Sequence, residues 1–157
     1  MKRVNTKNVQ EAGEFTRPEA GAYICTITAV EDIEAKEYLK VSYDIAEGEF
    51  KGYYSEMRTN NLDWKWAGAY VKSYKPAALP MFKRFCTAVS RSNGSFVFDG
   101  DEINADEKTL IGKKIGLLLG EEEYYGNDGE KKTRLYVVRE FSTDKLKNQK
   151  VPKLKTR

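Results

Sequence analysis

Residues 38–45, YLKVSYDI, decide how the rest of the chain is read. Leu39, Val41, Tyr43 and Ile45 alternate with Lys40, Ser42 and Asp44. A period of two puts the apolar set on one face of an extended chain and the polar set on the other, so this is a strand with one face buried and one wet. Upstream, AYICTITAV (22–30) is rich in β-branched and aromatic residues and forms the strand before it. Downstream, Glu47 and Gly48 make a turn, and FKGYYSEM (50–57) is expected to be a third strand, with Gly52 at a bend or bulge.

Beyond that point the pattern changes. NNLDWKWAGAYVKSYKP (60–76) has no sustained period, contains Gly68 and Pro76, and holds both tryptophans, so it is expected to be a long functional loop. Met81, Phe82, Phe85, Cys86 and Val89 then fall on one side of a 3.6-residue spiral, with Lys83, Arg84 and Arg91 on the other. This is an amphipathic helix that stops at Asn93-Gly94. After an acidic loop, LIGKKIGLLL (110–119) is expected to be a fourth strand. The turn residues Gly126, Asn127, Asp128 and Gly129 then lead into TRLYVVREF (133–141), a fifth strand with Leu135, Val137 and Phe141 on one side.

Three strands, a helix and a two-stranded hairpin make a mainly β chain with one main helix. That order is the order of an OB-fold-like five-stranded Greek-key barrel, in which closure removes exposed sheet edge and the helix plugs the open end. The structural rival is a five-stranded sheet with one helix across a face. The expected division is an N-terminal arm (1–20), the OB-fold-like domain (21–143) and a basic tail (144–157).

At 157 residues the chain is long enough to bury a core without a disulfide or metal staple. It has no histidine, which excludes the Ser-His-Asp triad, the Cys-His dyad and imidazole zinc sites. Cys25 and Cys86 have no second thiol near them in sequence and are read as buried free thiols. No GxxxxGK[ST], GxSxG or GxGxxG fingerprint occurs. No catalytic residue, metal site or cofactor is expected, and the protein is not expected to be an enzyme. The start, MKRVNTKNVQEAGEF, lacks a signal-peptide run, and no window approaches the length of a membrane span, so a cytoplasmic location without a membrane partner is expected.

The formal net charge of +3 conceals segregation. From Arg58 to Arg91 seven cations face one carboxylate, Asp63, and the tail sets six cations against Asp144. Aromatic and basic residues interleave most densely at Trp64, Lys65, Trp66, Tyr70, Lys72, Tyr74 and Lys75, with Arg58 just before them. Single strands are held by bases stacked on aromatic faces while lysine and arginine neutralise phosphates, so this run is the first candidate for nucleic-acid binding. The plainer reading is a soluble loop over the barrel mouth. A second candidate is the hairpin, with Tyr124, Tyr125, Lys131, Lys132 and Arg134, since the loop between strands four and five grips ligand in OB-folds. Its plainer reading is a solvated tip. Tyr38, Tyr53, Tyr54 and Tyr136 are read as core or cross-strand packing. Glu121 to Glu123 are read as a solvated run, because no third metal ligand stands near them in sequence.

Several strings resemble a bacteriophage family catalogued as domain of unknown function 669. They are Tyr38-Leu39-Lys40-Val41 with Tyr43-Asp44-Ile45, Glu49-Phe50-Lys51-Gly52-Tyr53, Ser73-Tyr74-Lys75, Glu121-Glu122-Glu123-Tyr124, Gly126-Asn127-Asp128-Gly129 and Thr133-Arg134-Leu135. The resemblance spans Ala22 to about Leu154 and carries no assigned chemistry. It implies a small phage protein in the bacterial host cytoplasm, encoded among replication and recombination genes. One departure from familiar single-stranded DNA-binding proteins is the tail, which is basic here and usually acidic there.

The function expected from residues and context together is a non-enzymatic single-stranded DNA-binding accessory of phage replication and recombination. The alternative is a protein-interaction adaptor that loads or regulates a phage helicase or recombinase, using the same aromatic loop as an anchor. Self-association as a homo-oligomer is compatible with both.

Overall fold

The computed structural model describes residues 1–7, 17–60 and 65–156. Its elements in chain order are β1 (Gly21–Ile33), β2 (Tyr38–Ile45), α1 (Tyr53–Asn60), β3 (Ala69–Ser73), α2 (Leu79–Arg91), β4 (Lys114–Tyr125) and β5 (Lys131–Phe141). The strands form one antiparallel sheet in the order β3-β2-β1-β4-β5. The mainly β character and the single main helix are as expected.

The alternation that defines β2 sends Leu39, Val41, Tyr43 and Ile45 into the core, where they meet Cys25 and Ile27 of β1 and Ile115, Leu117 and Leu119 of β4. Phe82, Phe85, Cys86 and Val89 of α2 cover this face. Phe85 is fully buried, a placement that contributes roughly 1.5–3 kcal/mol from removing its ring from water. Met81, expected on the same face, stands in the first turn of α2 and is exposed. At the other end Asn93 clamps the helix to the sheet. Its amide nitrogen donates to the carbonyls of Val89 and Lys114, both at 2.7 Å, and its Oδ1 accepts the Lys114 N–H at 2.9 Å.

The sheet is not a closed barrel. β3 and β5 are its two edges and share no backbone ladder. Side chains span the gap instead: Glu140 of β5 accepts the Tyr70 hydroxyl at 2.7 Å and pairs with the Lys72 ammonium at 3.0 Å, both from β3. β3 has only five residues, and α2 packs against both edges where a further ladder would run.

Residues 50–57 are not a strand. Gly52 turns the chain at φ 75°, a conformation glycine adopts without steric cost, and α1 begins at the next residue. Asp44, buried at the end of β2, accepts the N–H groups of Tyr54 at 2.9 Å and Ser55 at 3.1 Å. Those donors have no partner within the helix, so a carboxylate ten residues upstream caps it. The neighbours Tyr53 and Tyr54 are both buried, which a helix allows and a half-exposed strand does not.

β3 lies inside the segment expected to be a loop, paired from Ala69 to Ser73 with Ser42 to Tyr38. Its approach depends on Gly68, where an added Cβ would sit 2.5 Å from the Tyr43 carbonyl oxygen. β4 also starts later than expected. Leu110 ends a 3₁₀ turn, fully buried, and Glu121 to Glu123 belong to the strand.

The tail folds back onto the sheet. After a 3₁₀ segment, Thr143–Asn148, it returns so that Lys155 makes a parallel bridge with Glu122, beyond the point where β1 stops pairing with β4. The arm is tied down at Arg17, which bonds the Thr133 carbonyl at 3.1 Å and pairs with Glu121 at 3.3 Å. Among the described residues no helix is long and apolar enough to cross a membrane.

Candidate nucleic-acid interface

The aromatic and basic run does not form one surface. Trp64 lies outside the described residues. Lys65 is exposed before β3 and Lys75 is exposed after it, so the strand separates them. Trp66 is half-buried against the core, with its indole N–H donated to the Tyr43 carbonyl at 2.9 Å. Tyr74 gives its hydroxyl to Asp32 at 2.7 Å and sets its ring edge-on to Phe82. Arg58 is half-buried in the last turn of α1.

Tyr70 and Lys72 are committed inward. Two residues apart on a strand, they share a face, and that face carries Glu140, which is 2% exposed. Burial, reinforced by Glu140, pushes the Tyr70 hydroxyl well above its usual range. The Tyr70 hydroxyl and the Lys72 ammonium are thus both held by Glu140, and the two residues join the sheet edges.

In the hairpin each expected cation has a carboxylate partner. Arg134 pairs with Glu122 at 2.8 Å and lies 4.8 Å above the Tyr124 ring. Lys131 pairs with Glu123 at 3.2 Å and Lys132 with Asp128 at 3.4 Å. Tyr125 is exposed, with the Lys131 ammonium 6.0 Å from its ring centre. From 121 to 134, five carboxylates outnumber three cations. A phosphate reaching any of these three cations has to compete with its carboxylate partner.

The surface that fits a polyanion lies on α2. Lys83, Arg84 and Arg91 stand on the helix face turned away from the core, and all are exposed. Across a groove of about 350 Å³ stands Lys145, with Glu140, Phe141 and Ser142 at the base. None of these four cations forms an ion pair with another described residue. Glu140, the carboxylate at the base, is neutralised by Lys72. Asp144 is the carboxylate beside Arg91. It accepts a short hydrogen bond from the Ser142 hydroxyl, which holds its acid below the usual range.

Sequence reading noted Lys83, Arg84, Arg91 and Lys145 as charges but did not place them in the site. Two signals pointed there: spacing of the cations along one helix face, and the cation-rich tail that follows β5.

Among the described residues no group of three or more carboxylates or thiols is placed to hold a metal. Both cysteines are free and buried, and burial pushes the Cys86 thiol up to about 12 and raises that of Cys25, which favours the protonated thiol over the thiolate.

The family model described as protein of unknown function DUF669 matches residues 3–148. The chain belongs to this family. No curated protein matches it. In this DUF669 protein the family strings therefore have physical places: Tyr38 to Ile45 is the best-buried strand, and Ser73-Tyr74-Lys75 is the exit from β3.

Proposed function

We propose that this DUF669 protein binds single-stranded DNA without catalysing a reaction, as an accessory of phage replication and recombination in the host cytoplasm. The observation that carries this reading is the set of four cations without ion-pair partners, Lys83, Arg84, Arg91 and Lys145, around one groove. Phosphates placed there replace condensed counterions, and their release drives binding. Stacking would come from the two tryptophans, Trp64 and Trp66.

The architecture supports the same reading. An OB-fold is a five-stranded, partly open barrel with a helix between its third and fourth strands. Here α2 occupies that position in the element order, and Tyr70, Lys72 and Glu140 link β3 to β5 where a barrel would close. We read the sheet as an opened variant of this class.

The test is fluorescence anisotropy of labelled oligo-dT at two salt concentrations, with duplex as competitor and tryptophan emission read in parallel. The expected result is binding that duplex competes for poorly. Its log–log salt slope should be about −0.7 for each phosphate neutralised. Absence of binding at low salt would overturn the proposal.

A further inference from the structure

The other flank of α2 carries a different chemistry. After the helix the chain doubles back, and Ser90 pins it there: its hydroxyl donates to the Phe98 carbonyl at 3.2 Å and accepts the Phe98 N–H at 3.0 Å. A groove of about 530 Å³ results, with Phe82, Cys86 and Phe98 as an apolar floor and Leu79 and Val97 as walls. The floor is buried, whereas Leu79 is 48% and Val97 53% exposed. A second depression of about 310 Å³ borders it, but Asp32, Asp99 and Glu107 line that one without a cation, so it is acidic and stands apart. The apolar trough is the first groove alone.

The rim is charged. Lys83 and Arg91 line it, both exposed and neither in an ion pair with another described residue. Asp99, also on the rim, turns its carboxylate into its own loop, accepting the Asp101 N–H at 2.9 Å and the Asn104 amide at 3.2 Å. A bare polyanion leaves the apolar floor unused, and a neutral apolar segment leaves the cations unused. Carboxylates flanking a bulky apolar side chain satisfy both.

We infer that this trough docks an acidic peptide segment of a partner protein, seating one large apolar side chain against Phe82 and Phe98 and its carboxylates on Lys83 and Arg91. This site does not depend on DNA binding. Leu79 and Val97 line the trough and not the basic groove, whereas Arg84 and Lys145 line only the basic groove. Because Lys83 and Arg91 border both, an acidic peptide and DNA should compete.

The test is anisotropy of a labelled short acidic peptide with a central Leu-Phe pair. Controls are the same peptide with Ala-Ala in the centre and one with lysines in place of the acids. The full chain should bind the first peptide about tenfold or more tighter than either control. Leu79→Ser should weaken peptide binding about as much and leave oligo-dT binding unchanged. Arg84→Glu with Lys145→Glu should do the reverse, so the two sites fail separately. Leu79 is half-exposed, and a circular dichroism melt verifies that its variant folds. Equal affinity for the Ala-Ala peptide, or a folded Leu79→Ser variant that binds the peptide as well as the parent, would overturn the inference.

Discussion

The carboxylate of Glu140 accepts the Tyr70 hydroxyl at 2.7 Å across the gap between β5 and β3, joining residues 70 positions apart in the chain through one buried side chain. With Lys72 on the same carboxylate, this contact holds two sheet edges that share no backbone ladder.

Glu140→Ala should therefore destabilise the protein by roughly 3–5 kcal/mol, since it leaves a buried ammonium without its counter-charge. Replacing the pair together, Glu140→Leu with Lys72→Met, in a Tyr70→Phe background that removes the hydroxyl Glu140 also accepts, should recover most of that loss, because an apolar group of similar size needs no desolvation. Urea denaturation of the two variants measures both effects. A combined variant no more stable than the single would show that the ion pair itself, and not the stranded charge, is what matters.

Asp44 caps α1 from outside the helix. Asp44→Ala should cost about 1–3 kcal/mol, through the buried Tyr54 N–H and the part-buried Ser55 N–H left without this acceptor. Amide exchange should accelerate at Tyr54 and Ser55 and remain slow at the central residues of β1. Uniform acceleration along the chain would place the role of Asp44 elsewhere.

Alkaline pH should destabilise the fold. In the unfolded chain thiols ionise near pH 9.0 and phenols near 10.0. In the folded protein burial pushes Cys86 and Tyr54 up to about 12 and raises Cys25, Tyr43 and Tyr70 as well. Above pH 9 the unfolded chain therefore holds fewer protons than the folded one, and stability falls as pH rises. It is fully present below pH 9. Melting temperatures from pH 7 to 11 test this, and a flat profile above pH 9 would contradict the burial of these groups.

The parts of the fold readable in sequence were those set by local pattern. Alternation from Leu39 to Ile45 defined β2, the spacing of Phe82, Phe85, Cys86 and Val89 defined the inner face of α2, and Gly126 to Gly129 marked the hairpin turn. What escaped was set by distant partners. Residues 50–57 have the aromatic composition of a strand, and the Asp44 cap that makes a helix from Tyr53 onward is contributed by β2. β3 is only five residues long and is held by pairing with β2, not by an alternation of its own.

The site divided in the same way. Cation spacing along α2 was visible, yet the density of aromatics between Trp64 and Lys75 drew attention to a segment whose tyrosines and Lys72 serve packing. The separation of Tyr70 and Lys72 by two residues implied a shared face, but only the fold supplies Glu140 to meet them. In the hairpin, acidic and basic runs close to one another in sequence paired across the strands.

If the protein binds single strands as proposed, the groove of α2 carries the affinity and the hairpin does not. The most direct test compares oligo-dT binding at low salt by the parent chain, Arg84→Glu with Lys145→Glu, and Lys131→Ala with Arg134→Ala. The groove variant should bind about tenfold or more weakly, with a shallower salt slope, while the hairpin variant should change little. Full affinity in the groove variant, with loss in the hairpin variant, would contradict that assignment.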